Sequence, residues 1–142
     1  MKKFFLIAAV SLLAFSSCNK DDDDTCDITV ANIAGTYKLT GLTYKANSSA
    51  QEQDFLIFID ACERDDLHIL NSNGSFTYQD AGTVCSPDGS YTGGTWTLTG
   101  NVIDIDGNYS GTIQSFDCRN LVMVESDVLN TGDRFTATFV KQ

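Results

Sequence analysis

Gly94-Thr95-Trp96-Thr97-Leu98-Thr99-Gly100-Asn101-Val102-Ile103-Asp104-Ile105-Asp106-Gly107-Asn108 is the stretch that decides the fold. Trp96 and Leu98 alternate with threonine, and Ile103 and Ile105 alternate with aspartate. A period of two puts the large apolar side chains on one face of a strand and the polar ones on the other. Gly100-Asn101 joins the two runs, and Asp106-Gly107-Asn108 ends the second. So short a connection makes an antiparallel hairpin, because parallel strands need a crossover of a dozen residues or more.

The pattern extends in both directions. Thr36 to Lys45, Leu67 to Leu70 and Ser75 to Gln79 read as strands upstream; Gly111 to Phe116, Leu121 to Ser126 and Arg134 to Val140 read as strands downstream. With Thr95 to Thr99 and Val102 to Asp106, the expectation is eight strands. Several show one apolar face: Phe76 with Tyr78, Leu121 with Met123, Phe135 with Phe139. Asn73-Gly74, Arg119-Asn120 and Asn130-Thr131-Gly132-Asp133 supply turns, and Asn73-Gly74 is a strong hairpin signal because both residues tolerate positive φ. Asp80 to Gly93 reads as a polar loop holding Pro87, the sole proline. The predicted fold is all-β, an eight-stranded antiparallel up-and-down barrel. A β-sandwich is its main competitor.

Gln51 to Cys62 breaks the alternation with Phe55-Leu56-Ile57-Phe58-Ile59. Periodicity does not separate a buried strand from a short helix in such a run. A short helix or irregular lid at one barrel end is expected, either a cap or a ligand gate.

The chain opens with Lys2 and Lys3, an apolar run from Phe4 to Phe15, and Ser16-Ser17-Cys18. A stretch of twelve residues is too short to span a bilayer and suits a signal peptide. Ala14-Phe15-Ser16-Ser17-Cys18 resembles a bacterial lipobox. Asn19-Lys20-Asp21-Asp22-Asp23-Asp24 resembles the surface-export signal of lipoproteins in Bacteroidota. These resemblances imply a signal peptide over 1–17, an acylated Cys18 with an acidic tether over 18–25, and a domain over 26–142. They imply an outer-membrane lipid anchor, with the protein facing outward. Two or three acyl chains would hold it firmly, since each buried methylene contributes about 0.8 kcal/mol.

From Thr25 onward the chain has 15 acidic and 6 basic residues, a net charge of −9. That argues against nucleic acid or an anionic membrane surface as a direct partner. After Cys18, four cysteines remain: Cys26, Cys62, Cys85 and Cys118. In an oxidising compartment they pair, with three connectivities open. Cys62–Cys85, clipping the loops around one hairpin, and Cys26–Cys118, pinning the start of the domain to a late turn, are expected.

The stretch from Ile33 to Lys141 is similar to the lipocalin-like domain common in lipoproteins of Bacteroidota. The resemblance rests on Ile33-Ala34-Gly35-Thr36-Tyr37-Lys38-Leu39-Thr40, Cys62-Glu63-Arg64-Asp65-Asp66, Asn71-Ser72-Asn73-Gly74-Ser75-Phe76 and Gly94 to Asn101. Gly35-Thr36-Tyr37 and Gly94-Thr95-Trp96 echo each other, and each aromatic is placed to close a barrel end.

Catalytic chemistry is sparse. No serine, cysteine and histidine constellation stands out, and His68, the only histidine, reads as a surface or core residue. Glu63, Asp65 and Asp66 read as a solvated loop rather than a calcium site. Asp104 to Asn108 reads as a strand entering a turn, its glycine too early for a calcium loop. Neither an enzyme, a cofactor nor a metal is expected. A barrel of this size holds one small ligand or is filled by its own side chains. The leading expectation is a small apolar ligand, with Tyr37, Phe76, Tyr78, Trp96, Phe135 and Phe139 as candidate contacts. The alternative is a filled barrel serving as a cell-surface interaction or inhibitor module, with Tyr91 and Tyr109 in its exposed patch.

Overall fold

In the computed structural model, residues 26–87 and 89–142 are described; Cys18 and the segments expected as signal peptide and tether lie outside them. The strands are β1 (Gly35–Lys45), β2 (Gln53–Asp54), β3 (Leu67–Leu70), β4 (Ser75–Gln79), β5 (Tyr91–Thr99), β6 (Val102–Ile105), β7 (Tyr109–Phe116), β8 (Asn120–Ser126) and β9 (Arg134–Lys141). Every neighbouring pair is antiparallel, and β9 returns to β1. The result is a closed eight-stranded barrel, with β2 as an extra strand. β1 serves three partners because it is long: its first half pairs with β3, Thr43 and Tyr44 pair with β2, and β9 runs along its other edge.

Register shifts at Leu39/Gly41 in β1, Phe76/Thr77 in the β4–β5 ladder and Ile113/Ser115 in β7 bend the sheet toward closure. The hairpin signalled by Asn73-Gly74 forms between β3 and β4. At Asn71 to Gly74 only Gly74 takes positive φ (85°); Asn73 does not, and its Oδ1 instead accepts from the Ser75 N–H. The two-residue turn with both φ positive occurs at Asp106 (57°) and Gly107 (68°). The Asp104 carboxylate accepts from Gly107 N–H and the Asp106 carboxylate from Thr95 N–H, so both acids are engaged in shaping this turn.

A one-turn helix α1 (Val30–Ile33), absent from the sequence expectation, closes one barrel end. Thr29 caps it, and its Ile33 is fully buried. Tyr37 Oη donates to the Ile33 carbonyl (2.6 Å), Trp96 Nε1 to the Asn71 carbonyl (2.7 Å), and Lys141 Nζ to the Asn32 carbonyl (2.7 Å). The buried core of Tyr37, Leu70, Trp96, Ile113, Phe116 and Leu121 sits at or toward this end. Cys26–Cys118 fastens the start of the domain here, and Cys62–Cys85 ties the loops of the opposite end. Both pairings match the expectation.

The segment expected as a short helix or lid is the two-residue β2 followed by a single 3-10 turn, Leu56–Phe58. A longer helix does not form because Asp54 leaves in extended pairing with β1. The Asp54 carboxylate then accepts from Leu56 N–H, and Arg64 binds the Ile57 and Ile59 carbonyls.

Candidate functional site

Residues directly opposite in an antiparallel ladder share a face, so the register alone identifies the barrel interior. Tyr37 opposes His68, which opposes Tyr78, which opposes Tyr91. Leu98 opposes Ile103, which opposes Gly111. Ile113 opposes Met123, which opposes Ala137, which opposes Leu42. The closed end of this interior is packed. Its middle and upper layers carry Gly111 and Ala137, where the inner face lacks bulk.

A cavity of about 720 Å³ occupies that space. Its wall includes Leu42, Phe76, Ile103, Ile105, Met123, Phe135, Ala137 and Phe139. Tyr91, Tyr109 and Val128, all exposed, stand at its mouth, together with the exposed Glu125. A satellite space of about 40 Å³ lies against Tyr37, Leu70 and Leu121 and shares His68, Phe76, Ile103, Ile105, Met123 and Phe139 with the main cavity. Those six side chains therefore form the floor.

Of the sequence-derived candidates, Phe76, Tyr78, Phe135 and Phe139 line the cavity together. Tyr37 and Trp96 do not. Both are buried in the plug below the floor, where their polar tips are held by backbone carbonyls. Tyr91 and Tyr109 stand at the mouth. The lid segment packs beside it: the Phe55 ring lies 5.1 Å from Tyr44 and 5.2 Å from Phe135, and Phe58 lies 4.9 Å from Phe55. Phe58 is nonetheless 69% exposed.

Sequence reasoning put Ile103, Ile105 and Met123 on the apolar face without marking them as cavity wall. It missed His68 as a site residue. The signal was available in register: one strand position inside the barrel carries an imidazole. His68 is half-buried, with ring contacts to Tyr78 (5.1 Å) and Phe139 (5.2 Å) and a longer one to Phe76 (6.4 Å). Burial pushes its pKa down, and Asp66 opposes this weakly.

The buried carboxylates near the mouth hold loops. Asp66 accepts from Tyr78 Oη (2.5 Å) and Ala81 N–H (3.0 Å). Burial, that hydrogen bond and nearby carboxylates push the Tyr78 phenol well up. Asp80 accepts from Cys85 and Gly89 N–H groups. Asp133 accepts from Val128, Leu129 and Asn130 N–H groups and from Tyr44 Oη. Burial alone would raise the Asp133 pKa, but these donors outweigh it and hold the carboxyl below the usual range. Asp65 accepts from Thr83 N–H. Among the described residues, no three metal-ligating side chains converge.

Comparison with known proteins adds one positive finding. Residues 33–123 match the model of a family described as a lipocalin-like domain, from the end of α1 to the middle of β8. No curated protein matches the chain.

Proposed function

Because the chain belongs to the lipocalin-like family, we propose that its cavity binds a small apolar ligand, on a protein anchored at a cell surface through an acylated Cys18. The cavity carries this reading. At about 720 Å³ it falls within the roughly 300–1,000 Å³ of small-molecule sites, and its wall is aliphatic and aromatic. A barrel filled by its own side chains would have no such space. The wall suits holding a ligand more than transforming it, so the protein is read as a binder and not as an enzyme.

The anchor rests on the sequence: the apolar run, the small residues before Cys18, and Lys20 followed by four aspartates. Outer-membrane attachment and outward display are part of the same reading. The geometry is compatible with it. Cys26 is fastened at the closed end through Cys118 and through its N–H to the Phe116 carbonyl, so the tether joins opposite the mouth. A surface-interaction role is the second reading, favoured by Ile57 (61% exposed) and Phe58 beside the mouth.

An environment-sensitive apolar dye tests the binding. It should bind the protein with saturable enhancement, and Ala137→Trp, which projects an indole into the cavity, should abolish this without changing the β-sheet circular dichroism. Undiminished binding by a folded Ala137→Trp variant would overturn the assignment. For the anchor, Cys18→Ser should move the protein from the membrane fraction to the soluble fraction.

A further inference from the structure

The interior polar side chains are not alike. Tyr37, Tyr78, Trp96, Tyr44 and Lys141 each donate to a protein acceptor. His68 makes ring contacts only; among the described residues no group hydrogen-bonds its imidazole. It lies at the cavity floor, shared between the main space and the satellite below it. Its ring neighbours offer no hydrogen-bond partner, so a ligand group that reaches the imidazole gains a hydrogen bond there.

The charges around the cavity restrict that partner. Among the described residues no lysine or arginine lines the cavity, and the one charged wall residue is Glu125 at the mouth. The groups facing His68 are Tyr37 from β1, Tyr78 from β4 with its Asp66 partner, and Phe139 from β9. None is cationic. Burial favours the neutral imidazole, which offers one N–H donor and one nitrogen acceptor. An anionic head group would meet no cation there.

We propose that the cavity selects a neutral amphiphile whose uncharged oxygen head, a hydroxyl or a carbonyl, enters first and hydrogen-bonds His68 at the floor. Fatty acids of the same length are disfavoured. His68 is the specificity-determining residue, and the apolar wall from Ile105 to Phe135 holds the chain. This deepens the ligand-binding reading above and rests on it.

The test is displacement of the apolar dye from the full-length protein at pH 8 by decanol, decanoate and 1-chlorodecane. The three share a chain and differ in the head. Decanol should bind about tenfold more tightly than either competitor, the difference made by one recovered hydrogen bond. His68→Leu should remove that advantage and leave 1-chlorodecane unchanged; His68→Gln, which keeps a donor and an acceptor, should retain part of it. A second readout needs no variant. His68 is the only histidine, so its ring ¹⁵N resonances form a single reporter. They should shift strongly with decanol and weakly with 1-chlorodecane. Decanoate binding as tightly as decanol, or decanol affinity unaffected by His68→Leu, would overturn the head-group assignment while leaving the cavity a binding site. Failure of the dye and all three competitors to bind would overturn both.

Discussion

Gly111→Ala should make the protein more stable and its ligand binding weaker. Gly111 lies on the inner face of β7 opposite Ile103, and its φ is not in the left-handed region. A Cβ built there comes within 2.6 Å of Met123 Cε but stays 3.6 Å from Met123 Cβ and 3.8 Å from the Val124 carbonyl oxygen. The close atom is the tip of a flexible side chain, so Met123 can swing into the cavity with little strain. Removing glycine restricts the unfolded chain and contributes about 0.4–1 kcal/mol of stability at a compatible position. For a domain of this size that raises Tm by roughly 1–6 °C. The added methyl and displaced thioether together take the place of about one ligand methylene. The loss is about 0.8 kcal/mol, or roughly fourfold in Kd. Thermal circular dichroism on ligand-free protein and dye titration at fixed temperature measure the two effects. A lower Tm combined with unchanged affinity would refute the reasoning, because it would mean Met123 has no free space to enter.

Two further outcomes follow from the covalent and titratable groups. Breaking Cys62–Cys85 by paired serine substitution should cost up to about 3.5 kcal/mol, and breaking Cys26–Cys118 up to about 4.6 kcal/mol, because the second closes the longer loop; urea midpoints of the two variants, compared with the parent, check the order. Stability should also fall on both sides of neutrality. The His68 pKa is lowered on folding by burial, so its contribution is in place above about pH 6.5 and is lost as pH falls through the lowered value. Tyr37 is pushed up to about 12 by burial, so its contribution is in place below about pH 10 and is lost as pH rises toward that value. Thermal midpoints across pH should show a shallower acid limb in His68→Gln and a shallower alkaline limb in Tyr37→Phe.

Much of the architecture was legible because a strand has only two faces. Leu67–Leu70 and Ser75–Gln79 have the bounds read from the sequence, and six other strands differ from their expected ends by one to four residues. β5 differs most, starting at Tyr91 where a polar loop was expected to reach Gly93. The cysteine pairing was legible for a related reason: once the hairpins are placed, Cys62 and Cys85 fall at the same barrel end. The lid was not legible. Phe55 to Ile59 has no period, and its conformation is set by tertiary contacts: Phe55 on Tyr44 and Phe135, and Arg64 on the backbone of Ile57 and Ile59.

The sequence by itself determined which large apolar side chains of each strand share a face, since alternation and hairpin turns require no knowledge of distant partners. It did not determine whether the interior was full. That depends on volumes summed across eight strands, at levels set by closure and by three register shifts. Closure brings Gly111 and Ala137 to the walls of one open space and stacks Tyr37 and Trp96 beneath it as a plug. The same closure turns His68, an unremarkable member of a four-residue strand, toward that space with no protein hydrogen-bond partner among the described residues. Packing is a property of the assembled layer, and no single strand encodes it.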